Sequence, residues 1–209
     1  MKTALIIGVT GQDGAYLSHH LLSHGYRVVG SSRDSFACDT SRLKRLNILN
    51  DIELCSIATN DFRSVLKTIS SVQPCEIYNL SGLTSVGLSF ELPVECTESI
   101  ANATVNLLEA IRFMGGGIKF FNAGSSECFG DIGETPANET TLFQPLSPYA
   151  VAKASTFWHV SAYRRAYDLF CCTGILSNHE SPLRSERFVT RKIVESARLI
   201  SQKKYLMLF

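Results

Sequence analysis

Much of what marks a specialised chain is missing here, and each absence narrows the class. The 209 residues carry 20 Lys and Arg against 19 Asp and Glu, a formal charge of +1. Without a basic excess no nucleic-acid partner is expected, and without an acidic block no disordered arm. No apolar run has the length of a membrane span, so no membrane association is expected. The opening "MKTALIIG" starts like a signal sequence, but glycines and Asp13 interrupt it at once, and a buried strand explains it better. No CxxC pair and no Cys/His cluster with zinc spacing occurs, so no metal site is expected. The seven cysteines are Cys38, Cys55, Cys75, Cys96, Cys128, Cys171 and Cys172, several of them inside apolar runs such as "IELCSI" and "LFCCTGI". They read as small core residues of a reducing compartment, which makes the cytoplasm the expected location. Internal repeats and low-complexity linkers are absent as well.

What is present is the profile of a globular protein, with 45% hydrophobic and 19% charged residues. Short apolar runs alternate with longer amphipathic stretches. "TALIIGV", "YRVVGSS", "DIELCSI", "CEIYNLSG", "GIKFFNAGS" and "LFCCTGILS" read as strands. The stretches between them, and "SERFVTRKIVESARLISQ" after the last, read as helices; the first should bury Tyr16, Leu17, Leu21 and Leu22 and close at Gly25. "SRLKRL" reads as a solvated face, and His19, His20 and His24 as surface or packing residues. Trp158, Tyr163 and Tyr167, at helical spacing, read as core or interface. Six strand–helix alternations with near-continuous apolar strands predict an α/β fold: a doubly wound parallel Rossmann sheet with helices on both faces. The longest irregular stretch, "CFGDIGETPANETTLFQPL", has the length of a functional loop.

"GVTGQDGAYL" lies in the first strand-to-helix turn. Gly8, Gly11 and Gly14 there suit a tight turn, close approach of backbone to a pyrophosphate, and close packing of helix on sheet. At the end of the second strand an acid would grip a ribose 2′-hydroxyl, whereas an arginine would fit a 2′-phosphate. The residues are Gly30, Ser31, Ser32, Arg33 and Asp34. Arg33 favours NADP; Asp34, about 20 residues beyond the glycines, is the counter-indication.

Tyr149 and Lys153, four apart in "YAVAK", share one helix face. An ammonium beside a phenol should lower the phenol's pKa and let it act as a base near neutrality. Ser125, in "GSSECFG" at the carboxyl end of the fifth strand, can hydrogen-bond a substrate oxygen. Glu127 offers a second base, which an elimination needs and a plain dehydrogenation does not.

These residues resemble the extended short-chain dehydrogenase/reductase family and, within it, the GDP-mannose 4,6-dehydratases. The narrower resemblance rests on "SFELP", "GSSECFG", "SPYAVAK", "GILSNHESP" and "FVTRKI". It implies a hydro-lyase acting on GDP-mannose through bound NADP, in a homo-oligomer. The catalytic set would be Ser125 (at a position held by threonine in the family), Glu127, Tyr149 and Lys153. Cofactor contacts would come from Gly8, Thr10, Gly11, Gln12, Asp13, Gly14, Arg33, Asp61, Phe62, Leu80, Ser81, Gly82, Thr84, Tyr149, Lys153, His179 and Arg184. Ser85, Ser125, Asn178, Val189 and Lys192 would meet the nucleotide sugar. The segment from Arg33 to Arg42 would lie near a subunit contact. Residues 1–177 are expected to form the NADP-binding domain, and 178–209 the start of a substrate-binding region that is largely missing. A related nucleotide-sugar epimerase or reductase, and a cofactor-binding remnant without turnover, are the alternatives.

Overall fold

The computed structural model describes residues 1–202, which fall into two compact units, Met1–Ser177 and a second beginning at Asn178. The first unit contains a six-stranded parallel sheet in the order β3-β2-β1-β4-β5-β6. Its strands are β1 (Thr3–Ile7), β2 (Arg27–Ser32), β3 (Ile52–Ser56), β4 (Glu76–Asn79), β5 (Lys119–Ala123) and β6 (Cys171–Gly174). Every expected strand is present, one to five residues shorter in all, because the sheet ladder stops where the chain turns toward a helix.

The connecting helices are α1 (Gln12–Ser23), α2 (Ser41–Arg45), α3 (Phe62–Val72), α4 (Val86–Glu91), α5 (Pro93–Thr97), α6 (Ala103–Phe113) and α7 (Pro148–Tyr167). α4 was not expected. The predicted long helix over residues 95–114 is realised in three parts, α5, one π-helical turn (Glu98–Asn102) and α6. In the second unit α8 spans Val189–Ser201.

The core forms where sheet and helices meet. Leu5, Ile7, Ile77, Phe120, Leu107, Leu108, Ile111 and Val160 are essentially without solvent contact. Burying Phe120 alone contributes about 2–3 kcal/mol. α1 meets the sheet differently from its predicted stripe: Gly14, Ala15, Ser18 and Leu21 are buried, while Tyr16 is 39% exposed. Gly14 explains the shift, since a side chain there would hold the helix off the sheet. His19, His20 and His24 are on the surface, as expected. Cys96, Cys128 and Cys171 are buried, but Cys172 is exposed, against the reading of it as a core residue. Trp158 is 62% and Tyr167 48% exposed, so neither is a core residue; only Tyr163 packs on the core. Among the described residues no helix is long and apolar enough to cross a membrane.

The chain order reverses between β1 and β4, the neighbours from which it winds in opposite directions. Their carboxyl ends open a crevice, which in sheets of this kind is where ligands bind.

Candidate active site

The glycine turn forms one wall of that crevice. Gly8 has φ +88°, and a Cβ on it would lie 3.0 Å from the Leu80 carbonyl oxygen at the end of β4. Only glycine combines that backbone with that approach. A Cβ on Gly14 would lie 2.4 Å from the Gly8 carbonyl oxygen. Gly11 caps α1 without a side chain, so no side chain of the cap occupies the first-turn N–H groups. A helix terminus left open in this way can receive an anion.

Sequence reasoning missed one support of the turn. Arg42, read as part of a solvated face, donates from Nη1 to the Thr10 carbonyl oxygen at 3.1 Å, while Leu43 beside it is fully buried. The signal available was weak: an arginine in a basic run resembles any surface cation. Arg33 is 82% exposed at the end of β2 and pairs with Glu95 at 3.6 Å. Asp34 is turned into its own loop, where its carboxylate accepts from the Phe36 and Ala37 N–H groups at 2.9 and 3.3 Å.

Asp61 caps α3, accepting from the Arg63 and Ser64 N–H groups at 3.1 and 3.2 Å, and Phe62 opens that helix partly exposed. After β4, the Ser81 hydroxyl donates to Asn79 Oδ1 at 2.8 Å, and Gly82 has φ +112° against Ile100. Ser85 caps α4 by accepting from the Leu88 N–H at 3.2 Å.

β5 leads into Ser125 and Glu127. Gly124 fits beneath the β6 end, where a Cβ would lie 3.0 Å from the Gly174 carbonyl oxygen. Ser125 then caps a short 3-10 turn (Ser126–Phe129) and accepts from the Glu127 N–H at 3.3 Å. Glu127 is exposed; Ser125 is buried. Ser147 caps α7 by accepting from the Ala150 N–H, and Pro148 occupies the first turn, where its missing N–H costs nothing. Tyr149 and Lys153 follow on one face. Tyr149 packs on Cys96, Ile100 and Ala152, with Ser125 near its phenol.

The expected electrostatics of this pair is reversed. Burial pushes the Tyr149 phenol above its ordinary range, and the nearby Ser125 hydroxyl only partly opposes that. The Lys153 ammonium lies 5.8 Å from the ring centroid and donates to the Ala123 carbonyl oxygen at 2.8 Å. Burial pushes Lys153 itself down to about 8, with Cys128 and Cys96 opposing. At pH 7 the ammonium therefore still carries its charge.

Beneath the site lies a buried polar chain that sequence reasoning also missed. Asn79 and Asn122 are register partners on β4 and β5, and the Asn79 amide donates to Asn122 Oδ1 at 3.0 Å. Asn79 also donates to Thr104 Oγ1 at 3.2 Å, and Asn122 donates to Thr156 Oγ1 at 3.0 Å. All four residues are at most 4% exposed. The available signal was one asparagine near the end of each of two otherwise apolar strands.

In the second unit Arg184 lies 3.7 Å over the Phe188 ring and pairs with Glu180 at 3.5 Å. Asn178 and His179 precede that pair; Val189 opens α8 and Lys192 follows in its first turn. Among the described residues no cluster of His, Cys, Asp or Glu could hold a metal ion.

A nicotinamide dinucleotide fits this geometry by its pyrophosphate: a glycine cradle that a Cβ would fill, under a helix terminus with no capping side chain. The sequence model described as GDP-mannose 4,6 dehydratase matches residues 5–208. The chain belongs to the GDP-mannose 4,6-dehydratase family. It is 44% identical over 209 residues to GDP-mannose 4,6 dehydratase 2 of Caenorhabditis elegans, covering 96% of this chain and 55% of that protein. Against the GDP-mannose 4,6-dehydratase of Vibrio cholerae it is 43% identical over 208 residues, covering 96% and 56%. The chain thus spans about half the length of these family members. The fold matches solved structures at lower identity. A dTDP-glucose 4,6-dehydratase from Streptomyces venezuelae, solved with NAD, superposes with a TM-score of 0.84 at 20% identity, over 94% of this chain and 62% of that one. A UDP-glucose 4-epimerase from Thermotoga maritima does so at 0.84 and 20%, over 99% and 65%.

Proposed function

We propose that this protein takes part in the dehydration of GDP-mannose to GDP-4-keto-6-deoxymannose with bound NADP, as a hydro-lyase of its family. The observation that carries this reading is the grouping of Ser125, Glu127, Tyr149 and Lys153 at the carboxyl end of β5, in the unit that also holds the glycine turn. Two bases, not one, stand near a hydroxyl donor, and elimination needs the second.

Gly8, Thr10, Gly11, Gln12, Asp13 and Gly14 would hold the pyrophosphate, with Leu80, Ser81, Gly82 and Thr84 lining the opposite wall. Asp61 and Phe62 would lie beside the adenine, and His179 and Arg184 would complete the cofactor contacts. Arg33 would meet the 2′-phosphate; the engagement of Asp34 in its own loop supports NADP over NAD. NADP held there would supply reversible hydride transfer with the sugar, so the overall reaction would be loss of water without net oxidation. Lys153 would hold the ribose and keep a positive charge behind Tyr149. Tyr149 would take the proton of the sugar 4-hydroxyl while Ser125 donates a hydrogen bond to the same oxygen. Glu127 would remove the C5 proton and return it to the 6-hydroxyl, which leaves as water. Ser85, Asn178, Val189 and Lys192 would bind the nucleotide sugar. We infer a homo-oligomer in the cytoplasm as the working form, and residues 1–177 as the cofactor domain.

The test is incubation of the purified chain with GDP-mannose and either NADP or NAD, with products read by mass spectrometry. A GDP-sugar 18 mass units lighter supports dehydration. A product of unchanged mass supports an epimerase, and cofactor binding without turnover supports the remnant reading.

A further inference from the structure

The four buried polar residues beneath the site form a continuous relay of hydrogen bonds, and its two ends are informative. One end is the loop after β4, where the Ser81 hydroxyl donates to Asn79 Oδ1 at 2.8 Å. The other end is α7, where the Thr156 hydroxyl donates to the Lys153 carbonyl oxygen at 2.8 Å. Asn122 stands between them, accepting from Asn79 and donating to Thr156. The next residue, Ala123, accepts from Lys153 Nζ at 2.8 Å. Two successive residues of β5 therefore hold the same lysine, one through its head group and one through its backbone by way of Thr156.

A purely structural purpose would be served by apolar residues here. Ile77 and Phe120, two positions earlier in the same register, fill the same face with hydrocarbon. Buried amides are costly unless paired, and a paired network fixes one arrangement where apolar packing tolerates several. An α7 resting only on apolar contacts could roll or slide by fractions of an ångström. The Asn122–Thr156–Lys153 link removes that freedom at the turn that carries the reactive pair.

We propose that Thr156 and Asn122 are positioning residues for Lys153: they lock α7 against β5 so that the lysine head stays seated on the Ala123 carbonyl and Tyr149, one turn earlier, faces Ser125. The functional meaning rests on the role proposed above for Lys153. The seating itself does not, and it can be measured without turnover.

The groups facing the ammonium are Tyr149 from α7, Cys96 from α5, and Cys128 from the turn after β5. None of them changes in the test. Thr156→Val keeps the shape and removes both the hydroxyl donor and the acceptor; Thr156→Ser restores them. The experiment is a pH titration of the lysine 13Cε signals in the whole chain, with the Lys153 signal assigned by Lys153→Arg. In the native protein its midpoint is expected at about 8. In Thr156→Val the released head reaches water and the midpoint climbs back toward 10.5, while Thr156→Ser stays with the native protein. Equal midpoints in all three overturn the proposal, as does a native midpoint already at the ordinary lysine value. If Thr156→Val does not fold, Thr156→Ala removes the same two hydrogen bonds without placing a methyl against the Asn122 amide, and the same criteria apply. Absence of GDP-mannose turnover leaves this titration intact, so the two readings fail separately.

Discussion

The buried lysine makes this protein's stability depend on alkaline pH in a calculable way. Burial lowers Lys153 from 10.5 to about 8. Between those values the folded chain has released the proton and the unfolded chain still holds it. The unfolded state then binds more protons, so stability rises with pH across that window. One pH unit of difference corresponds to about 1.4 kcal/mol, so the whole interval amounts to about 3 kcal/mol. Other groups titrate in the same range, and a paired measurement removes them. The comparison is native protein against Lys153→Met, by urea denaturation followed with far-UV circular dichroism from pH 7.5 to 10.5. The variant loses the hydrogen bond to the Ala123 carbonyl, which offsets its stability by an amount independent of pH. The native protein should therefore gain on the variant by about 3 kcal/mol as pH rises, at a slope near 1.4 kcal/mol per unit. Equal urea slopes in the two proteins would show that the same surface is exposed in both. A stability difference that stays flat with pH would refute the burial argument. A falling difference would mean that the fold stabilises the ammonium, and that its partners outweigh desolvation.

Other expectations are as direct. Gly14→Ala sets a methyl 2.4 Å from the Gly8 carbonyl oxygen, so α1 must move; a loss of about 1–3 kcal/mol in urea denaturation, together with weakened NADP binding by calorimetry, is expected. Phe120→Ala opens a cavity at the centre of the sheet and should cost about 3–5 kcal/mol in the same denaturation assay. Tyr149→Phe should lower GDP-mannose conversion by about 10²–10⁴-fold in a product assay and leave NADP affinity nearly unchanged. Arg33→Ala should weaken NADP by about fivefold and NAD not at all, because its exposed guanidinium contributes at most about 1 kcal/mol; equal loss for both cofactors would rule out a 2′-phosphate contact.

The sequence carried the fold because its signals are local and repeated. Apolar runs of strand length alternate with amphipathic stretches, and glycines stand where strand one turns into helix one. Those patterns determine a parallel sheet with a cradle at its first turn, and the family motifs name the residues at its carboxyl end. What the sequence did not carry is how the elements approach each other. The stripe of α1 was misplaced because hydrophobicity pointed to Tyr16 and Leu17, whereas contact distance is set by Gly14, which has no side chain to read. Arg42 looked like any surface cation until the chain path brought it to the Thr10 carbonyl, 32 residues earlier. The direction of the Tyr149 shift differs from the sequence reading for a related reason. Spacing places both groups on one face, but desolvation decides their pKa values, and depth of burial is a property of the packed molecule. The Asn79–Asn122–Thr156 relay is the clearest case. Its members lie on two strands and a helix, no two closer than 34 residues in sequence, and each alone is an ordinary polar residue. Sequence by itself determined which groups reach the carboxyl end of the sheet. Tertiary structure decided which of them are held, because holding depends on hydrogen bonds and burial between elements distant along the chain.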